Sequence, residues 1–299
     1  MTRVIYSLYI DIPEDELDWQ KPYHGETEPK TIKTKRVLKE YYSWLRSMHE
    51  QYAESIGVEY KLFEYDKKYE DYKLEFNKRY PEVTSYNIVN FYKIHQLYEL
   101  ANQYDELLYL DFDAVPLTKK SFFDEWDLSK GVAILTNRNH VDTTMHAIKQ
   151  LTEKFESSFG GHSIRSPTAK YWNCRAMLLE NNYSGQNDVY NTGIIGINKQ
   201  HVQQLNYWNN FDEVMSMMTE LRNDEHSMWP VHIRKMFGYD NETIWSYHMQ
   251  VNDVPKQWLS EDWHHFMDKW NYIPANTNIV HTINKNFKYV KDWYEKNNL

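Results

Sequence analysis

The chain has 299 residues, enough for one large α/β domain with a proper core or two small ones, and a single domain is the expectation. Its net charge is −9 and it carries no extended basic run, which argues against a nucleic-acid partner while leaving room for one basic pocket around a phosphate. A single cysteine, Cys174, excludes an intramolecular disulfide, and the N-terminus turns acidic before any secretory or membrane-spanning stretch forms, so a cytoplasmic protein with no transmembrane segment is expected.

Residues 3–10 (RVIYSLYI) form a β-rich run at the start, and the polar, proline-containing stretch 11–30 reads as a long loop. Over residues 31–56 the apolar positions Val37, Leu38, Tyr41, Trp44, Leu45, Met48 and Tyr52 recur at helical spacing, and Gly57 ends the pattern. Residues 58–63 then supply a second strand, making one right-handed βαβ unit. The charged, tyrosine-rich stretch 66–82 reads as a loop or a short helix. Residues 85–103 are helical, with Ile88, Phe91, Ile94, Leu97, Tyr98 and Ala101 on one face.

That helix leads into LLYLDFDAVP, residues 107–116, around which the rest of the chain is organised. Four apolar residues running into Asp111-Phe112-Asp113 read as a buried parallel strand ending in two acids, and in open α/β sheets ligands gather at the carboxyl ends of the strands. Alternation along an extended chain is expected to place Asp111 and Asp113 on the same side, where a hard divalent cation bridges them and keeps open positions for phosphate oxygens. Nothing structural otherwise explains two acids closing a buried strand.

Residues 131–136 (GVAILT) are another buried strand, followed by Asn137, Arg138, Asn139 and His140; residues 141–158 read as helical. The stretch 159–168, containing Gly160, Gly161, His162 and Arg165, is loop-like, either an ordinary surface loop or a lid. Asn191-Thr192-Gly193 opens the apolar strand IIGIN, where a glycine permits close backbone approach or a positive φ. Asp240 stands where a helix N-cap belongs and Glu242 in the first turn after it. Near the C-terminus, residues 278–281 form a short apolar strand ending in His281, with Lys285 and Lys288 beyond. Aromatics make up 16% of the residues, with 25 Tyr and 11 Trp, which suits a tyrosine-rich core as well as a sugar-stacking cleft.

Four motifs in this order, DxD at 111–113, NTG at 191–193, DNE at 240–242 and the terminal His281, resemble those of GT-A glycosyltransferases. The pattern is similar to the glycogenin-like and lipooligosaccharide galactosyltransferase family and to the related DxD mannosyltransferases. The resemblance implies a GT-A, Rossmann-like α/β fold with a mostly parallel sheet flanked by helices. Residues 1–136 would be the nucleotide-binding half, and residues 137–299 the acceptor half with a segment that closes the metal site. It further implies Mn2+, or Mg2+, held by Asp111, Asp113 and His281, and a nucleotide sugar bound by Ser7, Leu8, Tyr9, Lys93, Asp111, Phe112, Asp113, Lys285 and Lys288. Asp240, Glu242 and Asn191 take the catalytic positions. The family's histidine motif carries a glycine where Asn284 stands and a lysine where Phe287 stands.

The activity implied is metal-dependent transfer of a sugar from a nucleotide sugar, with a UDP-sugar favoured, to a glycan or other hydroxyl acceptor, with retention of configuration. An inverting transferase using a GDP-sugar is the alternative. A nucleotidyltransferase also joins a Rossmann-like sheet to an acid-bound metal, but its glycine-rich phosphate loop has no counterpart in RVIYSLYIDIP. A sugar-binding protein without catalysis is the other rival.

Overall fold

A computed structural model describes residues 1–17, 20, 22, 26–137, 141, 166–226, 234, 237–268 and 270–297. The expected segment 138–140, the helix over 142–158 and the loop over 159–165 lie outside the described residues. Two compact units emerge: Met1–Leu135 with Gly193–Lys199 and Lys256–Leu299, and Thr136–Thr192 with Gln200–Pro255. The fold is mixed α/β, and among the described residues a mostly parallel central sheet has six strands in the spatial order Glu59–Glu64, Arg3–Tyr9, Glu106–Leu110, Tyr190–Asn198, Val132–Thr136 and Lys256–Trp258.

In the first unit, β1 (Arg3–Tyr9) runs parallel to both β2 (Glu59–Glu64) and β3 (Glu106–Leu110). β3 is buried throughout, as its unbroken apolar run requires. Helix α1 (Lys30–Ser55) makes the crossover from β1 to β2 and buries Val37, Leu45, Met48 and Tyr52. It ends in a Schellman motif: Gly57 takes a left-handed φ of 67°, Val58 N–H donates to Ala53 O (2.9 Å) and Gly57 N–H to Glu54 O (3.1 Å).

The stretch expected as a loop or short helix is α2 (Lys67–Arg79), a helix of 13 residues capped by Asp66, which accepts from Tyr69 N–H at 2.9 Å. Tyr69, Tyr72 and Phe76 are the apolar face, and they pack on α3 (Ser85–Ala101), with ring centroids 5.1 Å from Tyr69 to Tyr92, 4.9 Å from Tyr72 to Tyr92 and 5.1 Å from Phe76 to Phe91. Tyr69, Tyr72 and Tyr92 thus spend their rings on packing between the two helices.

β3 pairs antiparallel with the 194–198 part of β6 (Tyr190–Asn198), Leu110 opposite Ile194. β5 (Val132–Thr136) runs parallel to β7 (Lys256–Trp258). A second sheet of three short strands sits after the DxD turn: β4 (Ala114–Pro116) pairs antiparallel with β9 (Ile279–His281), which runs parallel to β8 (His265–Phe266). Its register sets Ala114 opposite His281, so the C-terminal histidine reaches the acids through backbone pairing. Helix α4 (Phe122–Glu125) follows β4. A core cluster of Phe112, Val115, Met267, Val280, Phe287 and Val290 surrounds the small sheet.

The described residues of the second unit are mostly helical: α5 (Ser166–Glu180), α6 (Lys199–Leu205), α7 (Phe211–Asn223) and α8 (Asn241–Val251). Helix α6 begins on the last residue of the first unit's Gly193–Lys199 segment. Helix α5, which takes in residues 166–168 of the expected loop, packs on α8, and α8 buries every residue from Asn241 to Met249. The first unit continues after β9 into α9 (Phe287–Lys296). No helix among the described residues is long and apolar enough to cross a membrane.

Candidate metal centre

β3 stops at Leu110, and the backbone turns at once: Ala114 N–H donates to Asp111 O at 2.8 Å. The two acids thus converge through a tight turn, and not through alternation along an extended chain as the sequence reading supposed; the hydrogen bond that closes the turn forbids extension there. Asp111 N–H donates to Gly193 O (2.7 Å) and Thr282 N–H to Asp113 O (2.9 Å), fixing the turn to β6 and β9.

One oxygen of each acid and one ring nitrogen of His281 lie within 4.8 Å of one another. His281 Nε2 stands 3.6 Å from Asp111 Oδ2 and 3.5 Å from Asp113 Oδ1. Beneath them the backbone of β6 passes so closely that a Cβ on Gly193 would come to 2.4 Å from His281 Cε1 and 2.8 Å from Asp111 Oδ2. Close approach is what this glycine serves. Two carboxylates and an imidazole converging over a bare backbone make a donor set that fits a divalent cation accepting both oxygen and nitrogen ligands better than Ca2+, which prefers all-oxygen shells.

Lysines flank both acids. Lys285 pairs with Asp113, and Lys93, nearly buried on α3, brings Nζ to 3.7 Å from Asp111 Oδ1 and 5.0 Å over the Tyr109 ring. Tyr109 Oη donates to Asp111 Oδ1 at 2.5 Å; burial and then the charge of Asp111 hold that phenol well above its usual range. For Asp113 burial favours the neutral acid, but the charge of Lys285 and the neighbouring His281 outweigh it and keep the carboxyl well below the usual carboxylate range. Lys285 reaches its partner from a left-handed backbone, φ 59°. Lys288 takes another place: its Nζ pairs with Asp292 at 2.6 Å along the exposed side of α9.

The remaining nucleotide-side candidates are distributed unevenly. Ser7 and Leu8 are buried in β1, whereas Tyr9 leaves the strand half-buried, its ring 5.2 Å from Phe112 and 4.8 Å from Tyr42. Phe112 is wedged in the core, stacked on His49 at 5.7 Å with the planes 12° apart. Sequence reading missed His264, whose Nε2 lies 3.0 Å from His281 Nδ1. Its position before β8 depends on strand pairing, which no local pattern announces.

The second unit holds its own polar cluster. Asp240 caps α8: Oδ1 accepts from Glu242 N–H and Thr243 N–H, both at 3.1 Å, and Oδ2 accepts from Thr243 Oγ1 at 2.5 Å. Glu242 pairs with Lys170 of α5, and its Oε1 accepts from Thr192 N–H at 2.8 Å. Asn241 Nδ2 donates to Thr192 Oγ1 at 2.9 Å, and Lys170 Nζ stands 3.7 Å from Asp240 Oδ1. Asn191 is half-buried at the start of β6. Lys170 was also missed, being one of many lysines with nothing in its neighbours to mark it.

No protein-family model and no curated protein matches the chain. Among solved structures it is similar to a glycosyltransferase involved in the glycosylation of the major capsid of PBCV-1, at 13% identity and a TM-score of 0.42, over 97% of this chain and 100% of that one. It is similar to an active-site mutant of LgtC at 11% identity and a TM-score of 0.44, over 94% of this chain and 86% of that one. Mouse xyloside xylosyltransferase 1 in its apo form gives 11% identity and a TM-score of 0.40, over 94% of this chain and 98% of that one.

Proposed function

We propose that the chain is a metal-dependent glycosyltransferase of the GT-A type, a hexosyl- or pentosyltransferase that moves a sugar from a nucleotide sugar to a hydroxyl acceptor. The observation that carries this reading is the convergence of Asp111, Asp113 and His281 over Gly193, at the carboxyl end of a buried strand and with Lys93 and Lys285 against the acids. Asp111, Asp113 and His281 would hold Mn2+ or Mg2+. When bound, the cation supplies positive charge against the diphosphate leaving group.

The chain's own charges shape what binds there. Two carboxylates and two lysines cancel formally, so a cation arriving alone leaves an excess of positive charge in a largely buried place, and a nucleoside diphosphate brings the balancing negative charge. Lys285 can exchange Asp113 for a diphosphate oxygen, neutralising charge as the bond to the sugar breaks. Tyr9 at the exit of β1 is placed in this reading beside the nucleobase, with Ser7 and Leu8 behind it. Asp240, Glu242 and Asn191 are assigned the work at the sugar, charge stabilisation and hydroxyl recognition.

A UDP-sugar and retention of configuration are the favoured specifics. The test is a screen of nucleotide sugars for diphosphate release with and without Mn2+, repeated in EDTA and with Asp113→Asn. Release that needs the metal and is lost in the variant supports the reading, and release unchanged in EDTA sinks it. A response to GDP-sugars alone would move the donor assignment to the inverting alternative.

A further inference from the structure

We propose that His264 is a positioning residue for His281: its Nε2 accepts a hydrogen bond from the Nδ1–H of His281 and so leaves the lone pair on Nε2 of His281 aimed at Asp111 and Asp113. This deepens the reading in which those three residues hold a metal, and it rests on that reading.

The two imidazoles form a buried pair. His264 is 1% exposed and His281 4%, His264 Nε2 lies 3.0 Å from His281 Nδ1, and the rings meet edge to edge, with centroids 5.3 Å apart and planes inclined by 27°. Phe266 packs on both, 4.7 Å from His264 and 5.5 Å from His281, leaving little freedom for either ring to rotate. The backbone is held as firmly. His264 N–H donates to Ser260 O (3.1 Å), Asn278 N–H to Asp262 O (2.6 Å) and Asn278 Nδ2 to Asp262 Oδ2 (3.0 Å), which ties the turn before β8 to the strand that carries His281.

The chemistry follows from what a neutral imidazole offers, one N–H and one lone pair. The two nitrogens of His281 face different neighbours: Nε2 faces the carboxylates at 3.5 and 3.6 Å, and Nδ1 faces His264. For Nε2 to give its lone pair to a cation, the proton must sit on Nδ1 and needs an acceptor there. A ligating histidine ordinarily finds that acceptor in a carboxylate, a carbonyl or water. Here the partner is a second buried imidazole, whose Nε2 has a lone pair to offer once its own proton is on Nδ1, an atom with no other partner among the described residues. A carboxylate in that place would add a third negative charge to a buried site, whereas a neutral ring fixes the tautomer without changing the charge balance.

The test has two readouts besides turnover. The Mn2+ dissociation constant is measured by the EPR signal of the free ion, alone and with UDP present, for wild type, His281→Ala, His264→Phe and His264→Gln. His264→Phe is expected to weaken binding by about ten- to a hundredfold, the range over which partners of metal ligands act. His264→Gln, whose Oε1 stands where Nε2 stood, is expected to restore most of it. In wild type loaded with Cd2+, which is diamagnetic, ring 15N shifts are expected to put the His264 proton on Nδ1. A Phe variant that binds Mn2+ as wild type does, or a His264 proton on Nε2 in the Cd2+ form, overturns the proposal. Should His281→Ala leave Mn2+ affinity unchanged, the metal reading itself fails; loss in that variant with none in His264→Phe condemns the positioning role alone.

Discussion

Gly193 and His281 are matched so closely that no side chain fits between them: a Cβ at residue 193 would lie 2.4 Å from His281 Cε1. The ring has little room to yield, because His264 and Phe266 hold it from behind. Gly193→Ala is therefore expected to displace His281 and Asp111. Metal-dependent diphosphate release should fall by about a hundredfold, the scale on which a displacement of about 1 Å acts on a rate. Gly196 provides the control on the same strand, since its Cβ would strike Phe122 Cε1 at 2.4 Å, within apolar core. Gly196→Ala should cost about 1–3 kcal/mol of stability through overpacking and leave the Mn2+ dissociation constant alone. Paired thermal melts and metal titrations of the two variants check this, and equal loss of metal affinity in both would remove the special role of Gly193.

Lys285 gives a prediction of the opposite kind, in which glycine stabilises. Its backbone is left-handed at φ 59°, a region that costs an L-residue with a Cβ roughly 1 kcal/mol. Lys285→Ala loses the pairing with Asp113 and keeps the strain, while Lys285→Gly loses the same pairing and relieves it. The glycine variant is expected to be the more stable by about 1 kcal/mol, despite the entropy that glycine ordinarily loses on folding. Both should release diphosphate equally slowly, since neither carries the amine. Denaturant midpoints compared with initial rates check it, and an alanine variant as stable as the glycine variant would count against backbone strain.

What could be read from the chain and what could not divide along a physical line. LLYLDFD announced its strand because β3 is buried on both faces and leaves an unbroken apolar run, and Asp240 announced its helix because a cap is a local interaction. Helix α2 was obscured because its face is built of tyrosines, which occur as readily in loops as in cores. Convergence of the acids was foreseen but for the wrong reason, since a turn closed by the Ala114–Asp111 hydrogen bond brings them together. His264 and Lys170 were invisible. Each acquires its neighbour only through contacts between segments far apart in sequence, 17 residues for the histidine pair and 72 for Lys170 and Glu242, and pairing of that kind leaves no periodicity to read.

Buried His248 predicts an acid limb to stability. Burial pushes its pKa down to about 4, and the ring lies against Tyr207 at 5.4 Å and Tyr247 at 5.6 Å, with Nδ1 3.5 Å from Asn252 Nδ2. The unfolded chain binds a proton near pH 6.5, so the unfolded state is the more protonated between the two values, and stability must fall as pH falls through that window. The contribution is whole above about pH 6.5 and is lost progressively toward pH 4, amounting to about 3 kcal/mol at most. His49 and His264, whose pKa values burial also lowers, act with the same sign and remain in any single variant. Between pH 7 and pH 4.5, His248→Gln should accordingly lose less stability than wild type in urea titrations. Parallel curves for the two proteins would mean that His248 does not titrate in this window.

Asp240 has a structural role on view, and the open question is whether its carboxylate also serves the reaction. Oδ1 caps α8 through Glu242 N–H and Thr243 N–H, and Oδ2 accepts from Thr243 Oγ1, with Lys170 3.7 Å away. Asp240→Ser keeps an oxygen for the helix amides, so the loss of stability should not exceed about 1 kcal/mol. Charge is what the variant removes. If the carboxylate stabilises positive charge developing on the donor sugar, that interaction exists mainly in the transition state, and its loss appears in kcat with KM little changed. We expect a folded variant with turnover lowered by about a hundredfold, equivalent to about 2.7 kcal/mol of barrier. Near-normal turnover would confine Asp240 to capping and pass the role to Glu242 and Asn191. Glu242→Gln then becomes the informative change, because it keeps an oxygen for Thr192 N–H while discarding the charge that pairs with Lys170. The anomeric configuration of the product, read by NMR, would next decide whether Glu242 acts as a base in an inverting reaction.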